Sequence, residues 1–406
     1  MHADNCRSRA SLVLEVLRAF TRLGVTAFGG PIAHLGYFRE EFVERRRWLD
    51  EHAYADLVSL SQFLPGPASS QVGFSVGLLR AGYLGGLAAW LGFTLPSAFL
   101  LVLFASATSY LDGPTGSAVL HSLKLVAVAI VAQAVWTMAR SLCADWSRAL
   151  IAIGAGIAVL LVRSPAVQIA VIVLSGMLGV QMRLAGASGG ATAQVTGLVS
   201  RRVGFSALVL FALLLVVLPL LHDSGRETGV ALFDASYRSG ALVFGGGHVV
   251  LPLLNEAFVA PGWVSNDAFL AGYGAAQAVP GPLFTFAAYL GAIAQSSGSP
   301  IGGAMLGLIG IFLPGILILL GALPFWEVLR QRAEARAAML AVNAAVVGLL
   351  GAALCTPVWT NSVQSVSDAA LAIAGFLLLA VWRLPPLLVV ALTVAGSVVV
   401  ASSGLL

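Results

Sequence analysis

The side chains able to do chemistry in this chain gather around one short motif that occurs twice. Gln62-Phe63-Leu64-Pro65-Gly66-Pro67 returns 215 positions later as Gln277-Ala278-Val279-Pro280-Gly281-Pro282. Each copy sits inside an apolar region, where Pro-Gly-Pro must break a helix, because proline lacks a backbone donor and clashes with the preceding turn. The helix that restarts after the break presents unpaired N–H groups and the positive end of its dipole. Ser69 and Ser70 follow the first break with hydroxyl donors, Thr285 follows the second, and Gln62 and Gln277 precede them symmetrically. That donor set suits an anion. The same motif would also serve as a tight hairpin whose small residues let helices approach closely.

Magnitudes constrain the anion reading. A helix end contributes about 0.3 to 2 kcal/mol toward an anion, against an ideal cost on the order of 20 kcal/mol for taking an ion into an apolar medium. The site must therefore be wet, helped by a fixed cation, or both. Lys124, the sole lysine, falls within an apolar span where the second motif series has Asn343. Intramembrane ionisable residues are functional candidates by default, although Lys124 could equally snorkel to the nearer interface. Arg22 and Arg238 flank the Phe28-Gly29-Gly30 and Phe244-Gly245-Gly246-Gly247 segments, as anion guides or ordinary interface anchors. His248 is the candidate for proton coupling, with His34 and Asp56 behind it; a lone histidine is as readily a packing residue.

These residues lie in a chain of 406, of which 59% is hydrophobic and 10% charged, with a mean hydropathy of +0.93. That balance identifies an integral membrane protein. Apolar runs are continuous and do not alternate with period two, so helices fit and a barrel does not. A net charge of +4 leaves no footprint for nucleic acid. Cys6, Cys143 and Cys355 lie far apart with no metal-ligand spacing, so neither a metal, a cofactor nor a disulfide framework is expected. No cleavable leader is indicated near Arg7 and Arg9. An enzyme is not expected either, because Ser69 and Ser70 have no apparent base.

Residues 20–137 and 236–355 align as a repeat. Phe28-Gly29-Gly30 matches Phe244-Gly245-Gly246, Trp48-Leu49 matches Trp263-Val264, and Leu95-Pro96-Ser97 matches Leu313-Pro314-Gly315. Arginines mark cytoplasmic loops. The loop holding Arg39, Arg45, Arg46 and Arg47 has a counterpart at 250–267 with no basic residue, whereas 106–120 has none and its counterpart holds Arg330, Arg332 and Arg336. The halves thus point in opposite directions. The expected architecture is an all-α polytopic membrane protein of two inverted-topology repeats with re-entrant helical hairpins at 55–80 and 268–296. The units are 1–183, a linker at 184–226 that includes one spanning helix, and 227–406. Expected spans lie near 83–110, 118–138, 149–162, 165–182, 205–221, 301–323, 337–355, 368–382 and 386–404; two are short against the roughly 20 residues a crossing needs, and whether 11–30 crosses is left open.

In this order, Phe28-Gly29-Gly30-Pro31, Leu64-Pro65-Gly66-Pro67, Phe244-Gly245-Gly246-Gly247, Val279-Pro280-Gly281-Pro282 and Val342-Asn343-Ala344-Ala345-Val346-Val347-Gly348 resemble the chromate ion transporter family in its long-chain, two-repeat form. The resemblance implies chromate efflux across a bacterial inner membrane, giving resistance, with sulfate as competitor and the proton gradient as driver. The expected partners are thus chromate or a sulfate-like oxyanion and the lipid bilayer, with a homodimer as one assembly to test. The mechanism expected from the residues is alternating access, the halves rocking about an oxyanion held by the helix ends of both hairpins.

Overall fold

The computed structural model describes residues 8–108, 114–162, 164–184, 198–222, 229–244, 247–294 and 299–402, and these form helices without any strand. The first series opens with α1 (Arg9–Thr26), which stops at the Phe-Gly-Gly segment and resumes as α2 (Gly30–Arg39). The stretch 11–30 is thus a helix and a break. Next, α3 (Glu51–Phe63) runs into the first Pro-Gly-Pro and α4 (Ala68–Thr108) leaves it, bending at 81–82 before continuing as a long span. Then come α5 (Pro114–Leu142), α6 (Trp146–Leu161) and α7 (Pro165–Gln181). A lone α8 (Arg201–His222), with Phe205, Leu213, Val216 and Leu220 exposed as a lipid-facing side, precedes the second series.

That series repeats the plan: α9 (Gly229–Ala241), α10 (Val250–Leu254), α11 (Asn266–Ala278) into the second Pro-Gly-Pro, α12 (Phe286–Ile293) out of it, and α13 (Pro300–Ala322). The short α14 (Trp326–Gln331), then α15 (Ala333–Ala353), α16 (Thr360–Ser362), α17 (Val366–Ala380) and α18 (Pro386–Ser402) complete it. Helix starts are set by matching caps. Asp50 accepts from the Ala53 N–H at 2.8 Å to begin α3, and Ser265 accepts from the Ala268 N–H at 3.2 Å to begin α11. Asp145 and Ser365 do the same for α6 and α17. Caps of this kind occupy donors that the first helical turn leaves unpaired.

Among the described residues, five helices are long and apolar enough to cross a membrane. The helices α6, α7, α17 and α18 have 15 to 17 residues. At 1.5 Å per residue they reach only about 25 Å, and they pack around longer neighbours.

The helices form two bundles, and each bundle draws on both series. In one, α1 lies on α4, α9 on α13, and α12 on α13. Backbones touch there: a Cβ at Gly24 would fall 2.6 Å from the Gly92 carbonyl oxygen, and one at Gly291 would fall 2.1 Å from that of Gly303. In the other, α15 lies against α6 and α7, and α5 against α17 and α18. Close approach through small residues is how helices associate in lipid, where no hydrophobic force pulls them together.

Candidate functional site

Four helix breaks meet at the centre of the first bundle. The Gly66 N–H donates to the Val243 carbonyl at 2.7 Å, and the Gly281 N–H donates to the Ala27 carbonyl at 2.9 Å. Each Pro-Gly-Pro tip therefore bonds the residue just before Phe-Gly-Gly in the opposite repeat. Both glycines hold left-handed φ values, +117° and +98°, which a side chain would strain. The tips are also matched in packing: Gly66 abuts Gly315, and Gly281 abuts Ser97, the positions that follow Pro314 and Pro96. Gln71 locks the first tip by donating to the Pro65 and Gly315 carbonyls at 2.9 Å each. Gly247 packs on Pro31, so the two glycine-rich segments touch as well.

The glycine N–H groups inside the breaks are therefore not open to an anion. The tip N–H groups of Gly66 and Gly281 are spent on carbonyls, because a break buried in protein must satisfy its own backbone. Pro67, Pro280 and Pro282 are buried, and Pro65 is partly so. After the second tip the chain makes a tight turn in which the Thr285 hydroxyl donates to the Pro282 carbonyl at 2.8 Å, leaving it no proton to offer an anion. Gln62 is exposed. Ser69 and Ser70 are buried at the start of α4, where His34 Nδ1 stands 3.5 Å from the Ser69 oxygen, the outer limit of a hydrogen bond. The base that the sequence did not reveal thus exists at long range, sealed beneath the Phe93 ring at 5.2 Å. Neither side chain lines the two polar cavities described next. Gly245 and Gly246 lie outside the described residues.

Beside the central crossing opens a polar cavity of about 540 Å³. One wall is the start of α2, at Gly29 and Gly30, where no side chain caps the first turn. Phe28, partly buried, precedes it. Gln277, one turn before Pro280, and His248 enter from the second repeat. His248 Nδ1 shares a 2.9 Å hydrogen bond with the Tyr273 hydroxyl, which fixes the ring at the cavity edge. The remaining polar groups, Gln133, Thr137, Arg140 and Arg383, were not singled out from the sequence. Arg140 ends α5 with its guanidinium 5.6 Å from the Trp136 ring centroid, and Arg383 lies in the α17–α18 loop. Neither arginine has a carboxylate within ion-pair distance among the described residues, unlike Arg39, Arg46, Arg80 and Arg238. Two unpaired guanidinium groups and two amides around a wet space supply the fixed cations that helix ends alone could not. The only sequence signal was a basic residue directly after an apolar run, which reads as an ordinary interface anchor.

Lys124 stands elsewhere. Its ammonium donates to Asp267 at 2.9 Å in a second cavity of about 670 Å³. Sixteen residues of α5 separate it from Arg140, about 24 Å of helix. Asn343, its counterpart, is partly buried on α15 with its side-chain oxygen unpartnered, and it lines neither cavity. Phe244 packs beside α15, and Arg238 is paired with Asp234 one turn away on α9.

A protein-family model described as chromate transporter matches residues 14–180 and 230–399, one match per repeat. The chain is 28% identical to a chromate transport protein of Pseudomonas aeruginosa over 83% of its own length and 79% of the relative's. It is 26% identical to a probable chromate transport protein of Synechococcus elongatus, over 94% of both chains. An uncharacterized transporter of Methanocaldococcus jannaschii is 27% identical over 83% of this chain and 82% of its own. No solved structure matches.

Proposed function

The chain belongs to the chromate transporter family, and from that premise we propose that it exports chromate across a bacterial inner membrane, driven by the proton gradient and conferring resistance. The observation that carries this reading is the cavity where Arg140 and Arg383, both unpaired, face Gln277 and His248 beside the crossed helix breaks. A tetrahedral dianion needs cations and donors from several directions, and this cavity supplies them from α2, α5, α11 and the α17–α18 loop. Arginine loops set the orientation: with the halves inverted, Arg140 and Arg383 face the cytoplasm and Asp267 faces the outside. The cavity then loads from the cell.

Alternating access fits this packing with one revision. The tips are bonded across the repeats, so the moving bodies are the two bundles, each with elements of both halves. His248, on the cavity wall and hydrogen-bonded to the Tyr273 hydroxyl, is the candidate coupling group. Everted membrane vesicles test the reading. Chromate should accumulate against its gradient, accumulation should collapse with the proton gradient, and excess sulfate should compete. Uptake of sulfate far above that of chromate would overturn the substrate assignment, and uptake that never exceeds equilibrium would indicate a channel.

A further inference from the structure

Two polar cavities lie on the same pair of helices, α5 and α11, with an apolar plug between them. At one end is the Arg140–Arg383 cavity; at the other is the cavity holding Lys124 and Asp267. The plug consists of Leu123, Val126, Ala129 and Ile130 of α5 packed with Ala271 and Ala275 of α11. The two backbones touch within it, since a Cβ at Gly274 would fall 2.1 Å from the Leu123 carbonyl oxygen. Parting this one seam would join the cavities into a continuous path.

The ion pair that closes the far end is unequal. The Lys124 side chain is 9% exposed, whereas the Asp267 side chain is 73% exposed. A buried ammonium is costly without a partner, yet this one is satisfied by a carboxylate that keeps most of its contact with solvent. The cavity's other basic group, His121, is held by Asp368 at 2.8 Å. Each basic side chain of the far cavity is therefore answered by one of the protein's own carboxylates.

We propose that Lys124 is a second oxyanion site on the release path, and that Asp267 is its tethered occupant. The arriving dianion displaces the Asp267 carboxylate from the ammonium, and the carboxylate's return expels the dianion to the outside. A carboxylate and a tetrahedral oxyanion offer the same anionic oxygen acceptors, so one ammonium serves each in turn. The inference rests on the anion-export reading above and adds to it a site and an order of events.

The test is inhibition of efflux by external chromate, using proteoliposomes of defined orientation preloaded with chromate. If the Lys124–Asp267 pair is closed about nine-tenths of the time, the tethered competitor weakens external binding about tenfold. Asp267→Asn should therefore lower the half-inhibiting external concentration about tenfold, and Asp267→Glu should stay near wild type. Lys124→Gln should abolish the external inhibition, and Lys124→Gln combined with Asp267→Asn should behave like Lys124→Gln alone. Asp267→Ser repeats the first test with a residue that suits a first helical turn. Wild-type efflux with no shift in both Asp267→Asn and Asp267→Ser, or a shift that persists without Lys124, overturns the proposal and leaves the export reading standing. Absence of chromate transport by the wild type overturns both.

Discussion

The sharpest prediction concerns Arg383, which adopts a left-handed backbone with φ of +55°. Asn tolerates that conformation, so Arg383→Asn removes the charge without forcing the loop. A sphere of the cavity's 540 Å³ has a radius of about 5 Å, and a dianion at its centre attracts a guanidinium at its wall by about 1.7 kcal/mol at the dielectric of water. The water-like value is the right one because Arg383 is exposed. Loss of that attraction corresponds to about a 20-fold weaker apparent affinity for chromate. A monovalent tetrahedral anion such as perchlorate feels half the energy, so its inhibition constant should rise only about fourfold. The assay is the initial rate of chromate uptake into everted vesicles at low salt, competed with sulfate or perchlorate. Arg383→Lys should remain near wild type, and raising the salt should shrink every difference. Equal losses for the divalent and monovalent anions, or no loss at all, would refute the electrostatic argument.

Three other perturbations test separate parts of the structure. Gly66→Ala places a side chain at a φ of +117° with its Cβ 2.9 Å from the Gly315 Cα; strain of about 1 to 3 kcal/mol should lower the melting temperature of the purified protein, and an unchanged melt would show that the tip relaxes. His248→Gln can still bond the Tyr273 hydroxyl but cannot carry a proton, so chromate accumulation should no longer respond to an imposed pH gradient; an unaltered response removes His248 from coupling. Gly274→Ala forces apart the α5–α11 contact and should depress transport while equilibrium chromate binding to the purified protein survives, since Gly274 lies outside the arginine cavity; wild-type transport would show that the seam need not close.

What the sequence made legible is the plan along the chain. Proline and glycine carry their conformational meaning locally, so the breaks at Pro65-Gly66-Pro67 and Pro280-Gly281-Pro282 and the helices on either side fall where composition places them. Spans such as 83–110 and 301–323 were legible because each apolar run ends at a charge or a turn. The cavity was not. Arg140 and Arg383 are 243 positions apart and meet Gln277 only after two bundles pack, and nothing local distinguishes them from anchors such as Arg148. The surroundings of Lys124 were illegible for a related reason: its burial is visible in the pattern, but its partner Asp267 belongs to another helix 143 positions away.

On the proposed alternating-access mechanism, the crossed bonds make the moving bodies differ from the sequence halves. A unit that moves as one body must keep its strongest internal contacts, and Gly66 to Val243 and Gly281 to Ala27 bind each hairpin to the other repeat. Sliding one repeat against the other would break both bonds and expose four backbone groups, a cost of about 1 to 3 kcal/mol each. Motion between the bundles breaks neither. There the arrangement is unequal: α11 is packed along α5, whereas its counterpart α3 packs on α2 and α4 and makes no comparable contact with α15. A transporter closed toward one side and open toward the other requires such a difference between its repeats. On the proposed mechanism the opposite state is reached when α3 closes on α15 and α11 releases α5, which parts Gly274 from Leu123 and brings Lys124 into the path of the anion.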